Sequence, residues 1–244
     1  MPLISDSPAG CARCEVRSRI QVETTLERRT SAEYDVRKYL ETVSRAVNEL
    51  ESFTGARWNI PPLPVLEQEI KDKSEVFRVH LPAYDYLVYL RHHGYPSPLL
   101  DWTESPYIAA YFAYLTAKDS NPAVYCYVER PQLVKGGTGG APMISLQGPH
   151  VSTHKRHFAQ KAWYTLSTQW DYAGERHVFC PHERIFDKED QTQDALVKLT
   201  LPVRDRITAL RRLSEFNINH FTLFQSEDAL VKALESKHFD QIDA

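Results

Sequence analysis

Apolar residues along the chain follow a helical period in the first half and a strand period in the second. Thr30-Ser31-Ala32-Glu33 has the form of a capping box, in which a hydroxyl and a carboxylate satisfy the first free amides of a helix. Behind it Val36, Tyr39, Leu40, Val43, Val47 and Leu50 recur at helical spacing, which puts them on one face. The pattern predicts a helix reaching Phe53, with Gly55 just beyond it. Pro61, Pro62 and Pro64 cannot continue that helix, because proline lacks an amide proton and restricts the residue before it. A charged segment from Glu67 to Lys73 leads onward. Ala83 to His93 predicts a second helix, with Gly94 suited to the C′ position. Tyr95 to Trp102 reads as a linker. Ser105 as cap and Pro106 in the first turn then predict a third helix, Tyr107 to Ala117. Its apolar residues lie on nearly every side, as in a buried central element.

Alternation of apolar and polar residues over Ile20 to Leu26 predicts a strand with one buried face. Met1 to Arg19 is polar and without a period, a poorly defined segment ahead of the domain that residues 20–244 are expected to form. Further strands are predicted at Ala123 to Val128, Ala162 to Ser167, Arg176 to Cys180 and Leu196 to Leu201. Helices follow at Val203 to Leu213 and at Glu227 to Ser236, the second capped by Ser226. Lys135 to Gly140 is glycine-rich and predicts a flexible connector or lid. The fold class is α+β: a single domain whose helical N-terminal half packs on a mostly antiparallel sheet supplied largely by the C-terminal half.

Composition narrows the function classes. Apolar residues make up 42% and charged residues 25%, which suits a folded globular chain. A net charge of −3 gives no global field toward nucleic acid or an anionic membrane, although it leaves room for a local basic groove. No apolar run approaches the roughly 18 residues of a membrane span. The first ten residues lack the basic start and apolar core of a signal peptide. Cys126 and Cys180 sit in strand-like runs, where a reduced buried thiol is expected. Together these features predict a cytoplasmic protein without structural disulfides.

Candidate chemistry concentrates at Asp101-Trp102-Thr103 ahead of Ser105-Pro106. A helix beginning there presents free amides and hydroxyls, which suits a phosphate. Trp102 can stack on a base, and Asp101 can accept from a ribose hydroxyl. Arg156 can clamp a phosphate, with Gln160 positioning a hydroxyl. The competing interpretation is structural: Asp101 and Thr103 as caps, Trp102 as core. His92 and His93 end a helix, where imidazole complements the dipole. His154 and His157 have ligand spacing, as does Cys11-x-x-Cys14, but neither set has partners to complete a site, so no metal is expected. Cys180-Pro181-His182 is likewise incomplete. The glycine loop lacks the Lys-Ser/Thr of a phosphate loop, and no Gly-x-Ser-x-Gly elbow is present.

The block from His92 to Ala113, with Leu99-Leu100-Asp101-Trp102-Thr103, Ser105-Pro106 and the alanine-rich run ending in Phe112-Ala113, resembles the central signature of FRG domains. Val22 to Arg28 is similar to that family's early segment. Arg156 to Gln160, followed by Tyr164-Thr165, is similar to its later Arg-x-x-x-Gln stretch. The resemblance spans roughly Ile20 to Ala233. Ser97 and Pro98 stand where many relatives have threonine and arginine. The aromatic-Arg-Gly element that opens the family has no clear counterpart. Glu15-Val16-Arg17-Ser18 is nearest, with serine in place of glycine, so the chain begins late or its first strand has diverged.

The resemblance implies a distant relation to ADP-ribosyltransferases, which split the nicotinamide–ribose bond of NAD. NAD would then be the substrate, held by His93, Asp101, Trp102, Thr103 and Ser105, with Arg156 and Gln160 as catalytic residues at the ribose. The competing expectation is a non-catalytic module that binds a nucleotide, a protein or a nucleic acid within a bacterial defence or stress system. Neither expectation names an acceptor, and no membrane partner is expected.

Overall fold

Aromatic and β-branched runs favour a pleated, half-buried surface, and in this chain they assemble into a single antiparallel sheet. The computed structural model describes residues 12–17, 22–30, 33–73, 81–129, 140–148, 155–186 and 194–239. Among these residues the strands are β1 (Ala12–Arg17), β2 (Tyr34–Asp35), β3 (Leu99–Thr103), β4 (Ala123–Val128), β5 (Met143–Gln147), β6 (Ala162–Asp171), β7 (Arg176–Phe179) and β8 (Ala195–Thr200). They run in the order β2-β7-β6-β3-β1-β4-β8, with β5 also paired to β6. Each described pairing is antiparallel.

β6 is the spine, and its partners change along its length. Leu166 faces Leu99 of β3 on one edge and Ser145 of β5 on the other. Thr168 faces Met143 of β5 and Phe179 of β7. β3 and β7 therefore share one edge of β6, the first strand along its early half and the second along its late half. The sheet forks between them at Ser167, whose carbonyl accepts from the amide of Cys180 at 3.2 Å.

Helices cover this sheet: α1 (Val36–Ser44), α2 (Val47–Thr54), α3 (Leu63–Lys73), α4 (Tyr84–His92), α5 (Pro106–Thr116), α6 (Lys155–Ala159), α7 (Glu183–Phe186), α8 (Arg206–Glu215), α9 (His220–Phe224) and α10 (Glu227–Phe239). Val36, Tyr39, Leu40 and Val43 of α1 join Leu66 of α3 and Leu87 and Leu90 of α4 in one core with Leu99, Tyr164 and Leu166. Leu100, Trp102, Tyr125, Tyr127 and Ile144 form a second core. Each fully buried aliphatic side chain stabilises by roughly 1.5–3 kcal/mol. The α+β class, with early helices against an antiparallel sheet, is what the periodicity predicts.

Several local expectations are corrected. α1 starts at Asp35, whose Oδ1 accepts from the Lys38 amide at 3.2 Å. Thr30 caps no helix, because its hydroxyl donates to the Leu26 carbonyl at 3.0 Å. Ser31 and Ala32 of the supposed capping box lie outside the described residues. The predicted single helix breaks at Arg45–Ala46, and its second part closes at Gly55 with φ +70°. Val22 to Leu26 is no strand, although Val22, Thr24 and Leu26 alternate inward as the pattern predicts. Their segment is a turn stitched to Ser97: the Leu26 amide donates to the Ser97 carbonyl at 3.1 Å. The Ser97 amide in turn donates to Thr25 Oγ1 at 2.9 Å. Tyr95 to Trp102 is not all linker, since Leu99 onward is β3. Glu67 to Lys73 is the body of α3, and β1 lies in the stretch read as without a period. Ile20, Gln21 and residues 130–139, which hold most of the glycine loop, lie outside the described residues.

Candidate functional site

The resemblance implies that Asp101, Trp102 and Thr103, with Ser105, line one pocket at a helix start, but Leu99-Leu100-Asp101-Trp102-Thr103 is strand β3. Successive side chains of a strand point to opposite faces, so Asp101 and Trp102 are directed apart. Leu99 enters the core under α4, while Leu100 and Trp102 enter the other. Trp102 is 2% exposed. Its ring lies 5.3 Å from that of Tyr127, and its indole N–H donates to Thr165 Oγ1 at 2.8 Å. The structure places Trp102 in the core, not on an open stacking surface.

Asp101, on the opposite face, pairs with Arg91 of α4. Across the register from Asp101, Tyr164 has its hydroxyl 3.0 Å from His92 Nε2 and 3.3 Å from His157 Nδ1. Burial, with Asp101 and Tyr84 beside it, drives the Tyr164 phenol far above its ordinary range. Thr103 donates through Oγ1 to the Gln160 carbonyl at 2.7 Å and accepts there from the Ser105 amide at 3.2 Å. Ser105 caps α5, as predicted, accepting from the Ile108 amide at 3.4 Å. Arg156 Nε donates to the Phe224 carbonyl at 3.0 Å, and Gln160 Nε2 donates to the Leu223 carbonyl at 3.1 Å. These two side chains tie α6 to the last turn of α9. Thr103, Ser105 and Gln160 thus come together, Asp101 stands apart on Arg91, and Trp102 faces away.

A different polar group sits at the sheet fork. His182, fully buried, has Nδ1 2.8 Å from Glu27 Oε1 and Nε2 3.1 Å from Thr165 Oγ1. Glu27 Oε2 accepts from the Thr24 amide at 2.9 Å. Trp102, Thr165, His182 and Glu27 therefore form one hydrogen-bonded chain. Glu27 ends it at a cavity of 220 Å³ that Thr24, Ser167 and Cys180 also border. Cys180 Sγ lies 3.2 Å from Ser167 Oγ, and burial pushes the thiol up to about 11.

Two larger depressions adjoin this cavity. One, of 640 Å³, is bordered by Lys38, Arg176 and Arg184 together with Glu33 and Asp35. Arg176 bridges Asp35 at 3.1 Å and Asp171 at 3.2 Å, and Arg184 pairs with Glu33. The other, of 970 Å³, is bordered by Tyr39, Phe53, Tyr89, Tyr95 and His93. His93 stacks at a tilt on Tyr89 with centroids 4.4 Å apart. Burial and then Arg156 hold its imidazole below the usual range. Tyr34 borders all three depressions, and the Lys38 ammonium lies 5.7 Å from its ring centre. Of the predicted site residues, only His93 borders this cleft.

Sequence reasoning did not find Glu27, Tyr34, Lys38 or His182. Glu27 and His182 are 155 positions apart, and neither carries motif spacing. A signal was present in the short Cys180-Pro181-His182 run and in Tyr34-Asp35 just ahead of the helix, but tertiary pairing alone joins them.

Among known families, the model of the FRG domain matches residues 13–122, beginning inside β1 and ending just ahead of β4. No match was found among curated proteins or among solved structures.

Proposed function

This chain carries an FRG domain, and we propose that the domain binds NAD or a closely related nucleotide in the cleft around Tyr34. The observation that supports this most directly is the meeting of three depressions of different chemistry at one aromatic residue. A dinucleotide needs flat apolar surface for its rings, cations for its pyrophosphate and acceptors for its hydroxyls. Tyr34, Tyr89, Tyr95 and Phe53 offer the first. Lys38, Arg176 and Arg184 offer the second, each partly neutralised by a carboxylate except Lys38, which shows no such pairing in the described structure. Glu27 and Ser167 offer the third.

The expected site at Asp101 to Ser105 gives way to this cleft because its polar groups already serve the fold. Arg156 and Gln160 hold backbone carbonyls of α9, so the geometry favours binding over bond cleavage. If ADP-ribosyltransferase-like chemistry operates, it does so with groups of the cleft or after Arg156 leaves Phe224. Saturating NAD at a hundredfold excess over its Kd should stabilise the fold by about 2.7 kcal/mol. That corresponds to a rise in Tm of roughly 5–11 °C for a chain of this size. Lys38→Ala should weaken binding while leaving the melting temperature of the free protein nearly unchanged. An unmoved Tm at millimolar NAD rejects the proposal. Steady nicotinamide release that disappears in Arg156→Ala restores the enzyme in place of the module.

A further inference from the structure

The hydrogen-bonded chain beneath the fork cavity runs in one direction when its imidazole is neutral. Trp102 Nε1 can only donate, so the Thr165 oxygen accepts from it at 2.8 Å. At the other end a carboxylate can only accept, so the proton on His182 Nδ1 points to Glu27 Oε1 over 2.8 Å. A neutral imidazole protonated at Nδ1 leaves Nε2 as an acceptor. In that form the Thr165 hydroxyl hydrogen fills the position over 3.1 Å. Each donor in the chain therefore faces Glu27, and the Thr24 amide adds one more on Oε2 at 2.9 Å.

This arrangement orients Glu27 and leaves it acceptor capacity. An ionised carboxylate offers about four lone-pair positions, and two are occupied here by His182 and Thr24. Glu27 borders the 220 Å³ cavity at the fork, while His182 behind it is closed to solvent. A buried chain that ends on one carboxylate at a cavity wall is more than capping requires. Thr24 alone would hold the local turn, since the Glu27 amide also donates to Thr24 Oγ1 at 3.1 Å.

We infer that the fork cavity is a binding site for a hydrogen-bond-donating group, an amide or a hydroxyl, with Glu27 as its acceptor. His182, Thr165 and Trp102 are its positioning residues. The inference rests on the nucleotide reading of the Tyr34 cleft, because this cavity is the arm of the cleft that would take the donor groups of NAD. It also gives the tryptophan of the Leu-Leu-Asp-Trp-Thr block a function at a distance, through Thr165 and His182.

The test uses the full chain, labelled with nitrogen-15, with NAD as the probe. Imidazole nitrogen shifts should show His182 protonated at Nδ1 and bare at Nε2. The Trp102 indole N–H resonance, identified by its loss in Trp102→Phe, should move when the wild type is saturated with NAD. Glu27→Gln should raise the Kd for NAD roughly ten- to a hundredfold, the loss of a hydrogen bond to a charged group. In that variant NAD at saturating concentration should leave the Trp102 resonance in place. The opposite His182 tautomer, an unmoved Trp102 resonance in the saturated wild type, or Glu27→Gln binding as tightly as the wild type each overturns the inference while leaving the cleft reading intact. Absence of NAD binding to the wild type overturns both. The His182 tautomer and the Trp102 shift are both read in the wild type, with Trp102→Phe used only for assignment, so the inference stays testable should Glu27→Gln fail to fold.

Discussion

Replacing Trp102 and Trp163 by phenylalanine, one at a time, separates a core tryptophan from a surface one on paired strands. The two face each other across β3 and β6. Trp102 is 2% exposed, packs on Tyr127, and donates to a buried threonine that also meets His182. Trp163 is only partly buried and donates to the exposed Glu104 at 2.7 Å. Trp102→Phe leaves the buried chain without its first donor, which costs about 1–2 kcal/mol. The unfilled part of the indole site adds about 1–2 kcal/mol. At Trp163 water replaces the lost donor, so the cost stays below about 1 kcal/mol. For a chain of this size each kcal/mol moves Tm by about 2–4 °C. Thermal melts followed by circular dichroism should therefore show a fall of roughly 4–16 °C for Trp102→Phe and a much smaller one for Trp163→Phe. Equal losses at the two sites would refute the placement of Trp102 at the head of a buried polar chain.

Other consequences follow from the same geometry. Asp101→Ala strips Arg91, whose side chain is only 16% exposed, of its carboxylate. It should cost about 1–2 kcal/mol in urea melts and leave NAD affinity unchanged; lost affinity at unchanged stability would restore Asp101 to the ligand site. Cys180, with its thiol pushed up to about 11 by burial, should resist iodoacetamide at pH 8 in the native state and react on unfolding, as mass spectrometry can show. Rapid native labelling would contradict its burial. Stability should also fall with acid. His177 is held below its ordinary range by burial, His93 by burial and then Arg156, and His220 by burial and then Lys232 and Arg156. Their folded values lie below the unfolded value of about 6.5, so the unfolded chain binds more protons between the two. The stabilisation is present above about pH 6.5 and is lost as pH falls through the folded values. Melting temperatures should drop from pH 7 to pH 5, and a flat profile would deny the shifts.

Much of the fold was legible because periodicity records burial. α4, α5 and β4 stand where spacing and caps put them, and α10 begins at its Ser226 cap, which accepts from the Ala229 amide at 3.2 Å. The misses have particular causes. In β1, Ala12, Cys14 and Val16 alternate with Arg13, Glu15 and Arg17, a period-two signal hidden by charge. In α3, Leu63, Leu66 and Ile70 are helically spaced, but Pro64 masked them although proline is tolerated in a first turn. β3 was hidden by Pro96 and Pro98 just ahead of it. The candidate site was less legible. Asp101 and Trp102 are neighbours in sequence and strangers in space, because a strand divides them. Glu27, Tyr34 and Lys38 are brought to one cleft, with His182 buried behind Glu27, only by the pairing of β2 with β7 and by the turn held on Ser97.

Isothermal titration of NAD into the wild type, Tyr34→Ala and Asp101→Ala tests the location of the site most directly. The Tyr34 cleft predicts a saturable heat in the wild type, a Kd raised at least roughly tenfold in Tyr34→Ala, the loss of about 1.4 kcal/mol, and an unchanged Kd in Asp101→Ala. Binding that survives Tyr34→Ala and disappears in Asp101→Ala, with both variants folded, would contradict it.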